Sequence, residues 1–150
     1  MKQFLLKTGL FFVPLLILII WIEVSVRNNT FSAKVECLKK PDDIEVLILG
    51  SSQNWRAINP EYLDFNVAPL ANGGSAFNLD YLLFKKYFPK FTNLKAVIFE
   101  MSYHTLEDTR NEQWEKNNLF YLYYGINNYE KKPPLKEYFL ITSNTNEYID

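Results

Sequence analysis

A long apolar stretch near the N-terminus is the strongest pattern in the chain. Residues 10–22 carry no charge, and the stretch extends back to Phe4 when Lys7 reaches toward the lipid head groups. A span of about 17–25 residues crosses a bilayer as a helix, and such helices tolerate a proline such as Pro14. We expect an uncleaved signal anchor over residues 1–27, because the bulky residues after the span offer no small-residue cleavage site. A cleaved signal peptide is the competing interpretation.

The charges that flank this stretch predict its orientation. Lys2 and Lys7 precede it, whereas Glu23 and Arg27 follow it with opposite signs. Because cytoplasmic flanks are richer in basic residues, we expect the N-terminus in the cytoplasm and the rest of the chain outside it. The sequence therefore predicts a single-pass membrane protein with an extracytoplasmic domain.

Short apolar runs that end in turn residues predict three strands. Residues 45–49 are rich in Val, Leu and Ile and are closed by Gly50, which is typical of a strand buried on both faces. Two further runs have the same character: residues 65–69, which end in proline, and residues 95–99. In a parallel sheet, the loops after such strands face the ligand-binding crevice.

Helical patterns lie between these strands. Asn59, Pro60 and Glu61 form a helix-start signal, which predicts a short helix after the first strand. Apolar residues recur at helical spacing over residues 76–88, and Ser75 is a candidate cap for that helix. The alternation of strands and helices predicts an α/β domain with a parallel sheet and right-handed crossovers.

The remaining segments have weaker patterns. Residues 28–43 are polar and aperiodic, and we interpret them as a linker between the anchor and a domain over residues 44–150. The aromatic-rich tail of that domain, residues 111–150, predicts a helix at 112–124 and a short element at 135–141. Packing of the aromatic side chains against the sheet is the simplest interpretation. A lid over the crevice and a patch on the membrane surface are the alternatives.

Composition narrows the function classes. The 150 residues have a formal net charge of −1, so the chain offers one compact domain without the basic excess of a general nucleic-acid binder. Cys37 is the single cysteine, which excludes an internal disulfide. We interpret it as an inert thiol, with lipidation and pairing between chains as alternatives. Neither a phosphate or dinucleotide motif nor metal-ligand spacing occurs, so no cofactor and no metal is predicted.

The turn at residues 50–52 carries the candidate chemistry. A serine at the carboxyl end of a buried strand exposes its hydroxyl, and its own N–H is free to face an oxyanion. A glycine N–H from residues 72–74, after the second strand, would complete a two-donor oxyanion hole. A serine nucleophile also needs a base, normally histidine. The single histidine, His104, lies just past the third strand on the same side as Ser52 and is the candidate base; a surface or packing role is the alternative.

These motifs resemble the sequence blocks of the SGNH (GDSL-like) hydrolase superfamily. The chain looks closest to the membrane-anchored bacterial branch that includes O-acetyltransferase-like proteins of cell-surface polysaccharides. The resemblance covers about residues 45–106. Residues 47–52 are similar to the first block, with Ser51 where aspartate often stands and Ser52 at the nucleophile position.

The resemblance also implies a set of oxyanion donors. The turn at residues 72–74 looks like the second block, which makes Gly74, ahead of Gly73, the oxyanion glycine. The third block should supply a Gly-x-Asn after the third strand, and Ser102 stands in that region as the substitute donor. The implied site is therefore Ser52 as nucleophile, with Ser52, Gly74 and Ser102 around the oxyanion.

Two features depart from the family pattern. The last block, Asp-x-x-His, is absent, because Met101 stands three residues before His104. The family domain carries about five parallel strands, and the sequence predicts three. Either the chain is the front half of a longer protein, which we favour, or it is a degenerate member of the family.

The resemblance implies a flavodoxin-like three-layer sandwich, incomplete here, at the periplasmic side of a bacterial inner membrane. The implied function is a serine esterase or O-acyltransferase that acts on cell-envelope carbohydrate, with a polysaccharide or acyl ester as substrate. One alternative is a non-catalytic envelope protein that binds glycan or a partner acyltransferase in the same crevice. The other is a tethered scaffold whose aromatic tail packs on the membrane or on a partner.

Overall fold

The computed structural model describes residues 2–143, apart from the side chains at positions 2, 5, 6, 104 and 142. One long N-terminal helix, α1 (Lys2–Val26), precedes a three-stranded parallel sheet and the helices that connect its strands. The predicted α/β class and the parallel sheet are therefore confirmed.

The sheet consists of β1 (Val46–Ile48), β2 (Val67–Pro69) and β3 (Ala96–Ile98) in the order β2-β1-β3. The central strand is buried on both faces, as its continuous apolar run predicts. Leu47 belongs to the larger core cluster on one face, and Ile48 belongs to a smaller cluster on the other. All three strands are parallel, so their carboxyl ends meet at one edge of the sheet.

Helices cross between the strands as predicted, with one correction at a cap. Between β1 and β2 lie α3 (Ser52–Ala57) and a 3₁₀ turn (Pro60–Tyr62) that the Asn59 side chain caps. Between β2 and β3 lie α4 (Phe77–Tyr87) and a second 3₁₀ turn (Phe88–Lys90). The predicted cap of α4 is wrong, because the cap residue is Ala76 and the hydroxyl of Ser75 donates to Asp80 instead.

The linker predicted for residues 28–43 is also corrected. This segment contains α2 (Thr30–Cys37) and a 3₁₀ turn (Pro41–Asp43), and α2 packs into the main core through Phe31. A reciprocal pair of hydrogen bonds between Asn29 and Ser32 starts the helix. The segment is therefore part of the fold, and it brings α2 against the sheet.

The aromatic tail forms short helices that pack in the same core. They are α6 (Asn117–Leu119), a π-helix (Phe120–Tyr124), a 3₁₀ turn (Leu135–Tyr138) and α7 (Leu140–Ser143), and they follow α5 (Tyr103–Glu107), which lies before the tail. The rings of Phe120 and Tyr124 are buried against Phe31, as the packing interpretation of the tail predicts. Gly125 ends the π-helix in a left-handed conformation. The last part of the tail, residues 144–150, lies outside the described residues.

The N-terminal helix is long and apolar enough to cross a membrane. Its segment Lys7–Val26 has a mean hydropathy of 2.5 and is not buried against the rest of the chain. The end of α1 is joined to the tail, because the Glu23 carboxylate accepts hydrogen bonds from the N–H groups of Leu140 (3.1 Å) and Ile141 (3.2 Å). Hydrogen bonds therefore tie the domain directly to the end of the apolar helix.

Candidate active site

The three strand ends meet around a cleft of about 220 Å³. Parallel pairing carries the segments after β1, β2 and β3 to the same edge of the sheet, where they line this cleft. The sequence-predicted residues Ser52, Gly74 and Ser102 all contribute to its wall. The others that line it are Ser51, Gln53, Ser75, Glu100, Thr105, Asp108 and Arg110.

A tight turn at Gly50 aims the two serines at the cleft. Gly50 has φ +128°, and a Cβ built on it would lie 2.7 Å from the Cβ of Glu100. The side chain of Asn54 closes the turn by donating to the carbonyl of Leu49 at 2.7 Å. The sharp turn therefore requires glycine, as the strand-Gly-Ser-Ser pattern suggests.

The two serines of this turn have different roles. Ser51 caps α3, and its N–H and hydroxyl both donate to Oε2 of Glu100 at 2.7 Å. Ser52 is half-buried and begins α3. Within residues 2–143, neither its hydroxyl nor its N–H has a hydrogen-bond partner. The hydroxyl that the sequence predicts as nucleophile is thus available at the cleft.

The second loop presents a glycine to the same cleft. Gly74 has φ +75°, and its carbonyl accepts a hydrogen bond from Nε of Arg110 at 2.8 Å. Its N–H has no partner among the residues that the structure describes. Gly73 instead faces the ring of Trp55, since a Cβ there would lie 3.6 Å from the indole. This placement favours Gly74 over Gly73 as the oxyanion glycine.

Ser102 is placed less favourably than Ser52 and Gly74. The N–H of Ser102 donates to Oγ1 of Thr105 at 3.0 Å, and its hydroxyl donates to Oε1 of Glu100 at 3.2 Å. Both donor groups of Ser102 are therefore engaged inside the protein. His104 lies in α5, two residues further on, but its side chain is outside the described part of the structure, so its role as base stays a prediction.

Glu100 is the central residue of the site, and sequence reasoning assigned it no role. Its side chain is 7% exposed and accepts hydrogen bonds from Ser51 and Ser102. It therefore joins the loop after β3 to the loop after β1. The signal in the sequence was an acid directly after a strand, where a carboxylate meets the donors of the neighbouring loop.

A second buried carboxylate, Asp80, lies beneath the cleft on α4. It is 1% exposed, and the hydroxyl of Ser75 donates to it at 2.9 Å. Burial, with a smaller contribution from the nearby Glu100 carboxylate, raises the pKa of Asp80 to about 7. Hydrogen bonds from Ser75 and from the backbone of Gly50 offset part of this increase in pKa.

This raised pKa predicts that the protein loses stability as pH rises from about 4 to about 7. In that range the folded state holds a proton on Asp80 that the unfolded state, with a pKa near 3.8, has released. The extra stability is complete below the unfolded pKa and is lost as pH passes the folded pKa. We expect the Asp80 contribution to the free energy of unfolding to be about 2–3 kcal/mol larger at pH 5 than at pH 8.

The measurement is urea unfolding of wild type and Asp80→Asn at both pH values. The substitution should remove most of this pH-dependent difference. Asp64→Asn serves as the matched control, because it makes the same substitution at an exposed aspartate. The free energy of unfolding of this variant should change with pH as that of wild type does. An Asp80→Asn protein with the wild-type pH dependence would contradict the assignment.

A pair of opposite charges closes the outer side of the cleft. The Arg110 guanidinium contacts the Asp108 carboxylate at 2.8 Å and lies over the ring of Trp114. Among the described residues, no group of three His, Cys, Asp or Glu side chains is placed to hold a metal ion. The cleft wall carries hydroxyls, backbone donors, carboxylates and the Arg110 guanidinium.

Comparison of the chain with protein-family models, with curated proteins and with solved structures finds no match.

Proposed function

We propose that the protein is a membrane-anchored, SGNH-like serine esterase or O-acyltransferase that acts on cell-envelope carbohydrate. In this proposal the domain is a flavodoxin-like three-layer sandwich on the extracytoplasmic side of a bacterial inner membrane. One observation carries the proposal: the Ser52 hydroxyl and the N–H groups of Ser52 and Gly74 have no partners within residues 2–143, and both residues line one cleft.

The proposed chemistry is acyl transfer through a covalent intermediate. Oγ of Ser52 attacks the carbonyl carbon of an ester, and the hydroxyl proton passes to a base. The N–H groups of Ser52 and Gly74 stabilise the oxyanion of the tetrahedral intermediate. The intermediate expels the sugar oxygen, which takes up the proton, and the acyl group then passes from Ser52 to water or to a second hydroxyl.

The scheme needs a base that accepts the Ser52 proton. Glu100 already accepts hydrogen bonds from Ser51 and Ser102, and no hydrogen bond joins it to Ser52 in the part of the chain that the structure describes. His104 is the candidate that the chain offers. Without an effective base, the chain would have little or no activity.

Labelling by a fluorophosphonate tests the nucleophile in protein purified from its native membrane. Ser52→Ala should abolish labelling, because the reagent bonds covalently to an activated serine oxygen. Gln53→Ala is the matched control, since it removes an exposed polar side chain from the same cleft and should leave labelling in place. Labelling that survives Ser52→Ala would rule out the assignment of Ser52.

A second substitution tests the base. His104→Ala should slow labelling by about 10²-fold or more if His104 is the general base. An unchanged labelling rate would exclude that role for His104.

The alternative is a non-catalytic envelope protein that binds glycan or a partner acyltransferase at the same crevice. The hydrogen bonds of Glu100 favour this alternative. Glu100 accepts from Ser51 and from Ser102, so both Glu100 and Ser102 have a structural role beside the turn at residues 50–52. Intact glycan binding by Ser52→Ala, together with no esterase activity in wild type, would support this alternative over the enzyme.

A further inference from the structure

A second cavity, which we call the Lys34 cavity, is lined in part by Trp55 of α3. Its volume is about 400 Å³, and its wall includes Lys34, Trp55, Arg56, Asn59 and Pro60. The sequence analysis assigned it no role, since Lys34 belongs to the segment interpreted as a linker. Helix α2 brings this lysine over the end of β2.

Lys34 is a buried cation without an acidic partner. Its side chain is 8% exposed, and its ammonium group donates to the carbonyl of Ala71 and, at 2.9 Å, to Oδ1 of Asn72. No carboxylate pairs with it in the part of the chain that the structure describes. Burial lowers the pKa of Lys34 to about 8. An unpaired buried charge is costly, and a bound anion would offset that cost.

Arg56 adds a second positive charge at the mouth of the cavity. Its side chain is exposed, and among the described residues it forms no ion pair. A guanidinium binds carboxylate or phosphate through two parallel hydrogen bonds. The cavity therefore offers one buried and one exposed cation to the same ligand.

The uncharged part of the wall suits a sugar ring. The Trp55 ring lies 5.0 Å from the Lys34 ammonium, and Pro60 adds a second apolar surface. Binding pockets commonly combine such apolar walls with a few polar groups that orient the ligand. An aromatic face beside a cation fits a ring that carries a negative substituent.

Trp55 also connects the cavity to the cleft. Ser52 and Trp55 lie three residues apart on α3, which places them on neighbouring parts of the helix surface. The Trp55 ring lies against Gly73, and the next residue, Gly74, lines the cleft. A sugar in the cavity would therefore lie next to the group that reacts at Ser52.

We propose that the Lys34 cavity binds the oxyanion, carboxylate or phosphate, of an acidic sugar, with Lys34 and Arg56 as its cationic ligands and Trp55 as the ring platform. The inference rests on the proposed function, because it makes the substrate an acidic envelope glycan. It assigns Lys34 and Arg56 to binding and leaves the chemistry to Ser52.

Isothermal titration calorimetry of the full chain in detergent micelles tests this site. Methyl glucuronide probes a carboxylate, glucose 6-phosphate probes a phosphate, and methyl glucoside is the neutral reference. At least one of the two anions should bind about 10-fold or more tightly than the glucoside, as expected for a charge-assisted hydrogen bond. The tighter of the two anions identifies the natural substituent.

Substitutions then identify the ligands. Arg56→Gln and Lys34→Met should each weaken anion binding by about 10-fold or more, and Arg56→Gln alters only an exposed side chain. Lys40→Gln removes the charge of an exposed lysine near the end of α2 and should bind as wild type does. Raising the pH from 7 to 9.5 should weaken binding to wild type, because Lys34 loses its proton near pH 8.

Equal affinity for neutral and anionic probes, or unchanged anion binding by Arg56→Gln, would overturn the proposal. Ser52→Ala separates this result from the proposed function. The variant should keep the anion affinity of wild type, so binding and labelling can fail independently.

Discussion

Gly50→Ala is expected to destabilise the domain by about 2–6 kcal/mol, a large part of the stability of a typical domain. Two effects combine at this position. The backbone has φ +128°, which costs a residue with a side chain about 1–3 kcal/mol. The new methyl group would also lie 2.7 Å from the Cβ of Glu100 and 2.9 Å from Nδ2 of Asn54, and overpacking of this kind costs about 1–3 kcal/mol.

Guanidinium unfolding, followed by near-ultraviolet circular dichroism, measures this effect without interference from the helical signal of α1. Gly73→Ala is the matched control, because a Cβ there would make only an ordinary contact of 3.6 Å with Trp55. Its stability should stay within about 0.5 kcal/mol of wild type. A Gly50→Ala protein as stable as wild type would mean that the turn adopts another conformation, and the placement of Ser51 on Glu100 would then be wrong.

The sheet could be predicted because its signals are local. The apolar run of β1, its closing Gly50 and the helix-start signal at Asn59 each determine a few residues without help from the rest of the chain. Parallel pairing then follows from the alternation of strands and helices. The convergence of Ser52 and Gly74 at one cleft is a consequence of that topology.

Helix α2 was missed because long-range contacts stabilise it. Its eight residues have little amphipathic pattern, and Phe31 is buried only because Phe120 and Tyr124 come to lie against it. One local signal was available: Asn29 followed three residues later by Ser32 forms a reciprocal cap. That signal would have predicted where the helix begins, but it would not have predicted that Lys34 is buried.

The buried carboxylates were missed for a different reason. A charged residue in an amphipathic helix usually lies on its solvent face, so Asp80 in α4 gave no sign that it is buried. Glu100 meets Ser51 across 49 positions of sequence, a contact that depends on the register of β1 against β3. Sequence reasoning thus located the cleft but not the acid that organises it.

Glu100→Ala should destabilise the domain by about 2–5 kcal/mol and disorganise the cleft. The substitution leaves the N–H and hydroxyl of Ser51 without their acceptor, and the Ser102 hydroxyl keeps only Oγ1 of Thr105 as acceptor. Each buried donor that loses its partner costs about 1–3 kcal/mol, although a hydroxyl recovers part of this by rotating. The free energy of unfolding in urea measures the loss.

Glu100→Gln separates the hydrogen bonds from the charge. An amide oxygen in the place of Oε2 still accepts both bonds from Ser51, and the amide N–H₂ can donate to Ser102, so we expect a loss of about 1 kcal/mol or less. Both substitutions remove the negative charge that helps to raise the pKa of Asp80. The loss of stability with rising pH should therefore be smaller, and should end at a lower pH, in both variants. If Glu100→Ala were as stable as Glu100→Gln, the hydrogen bonds of this side chain would not be what joins the loops after β1 and β3.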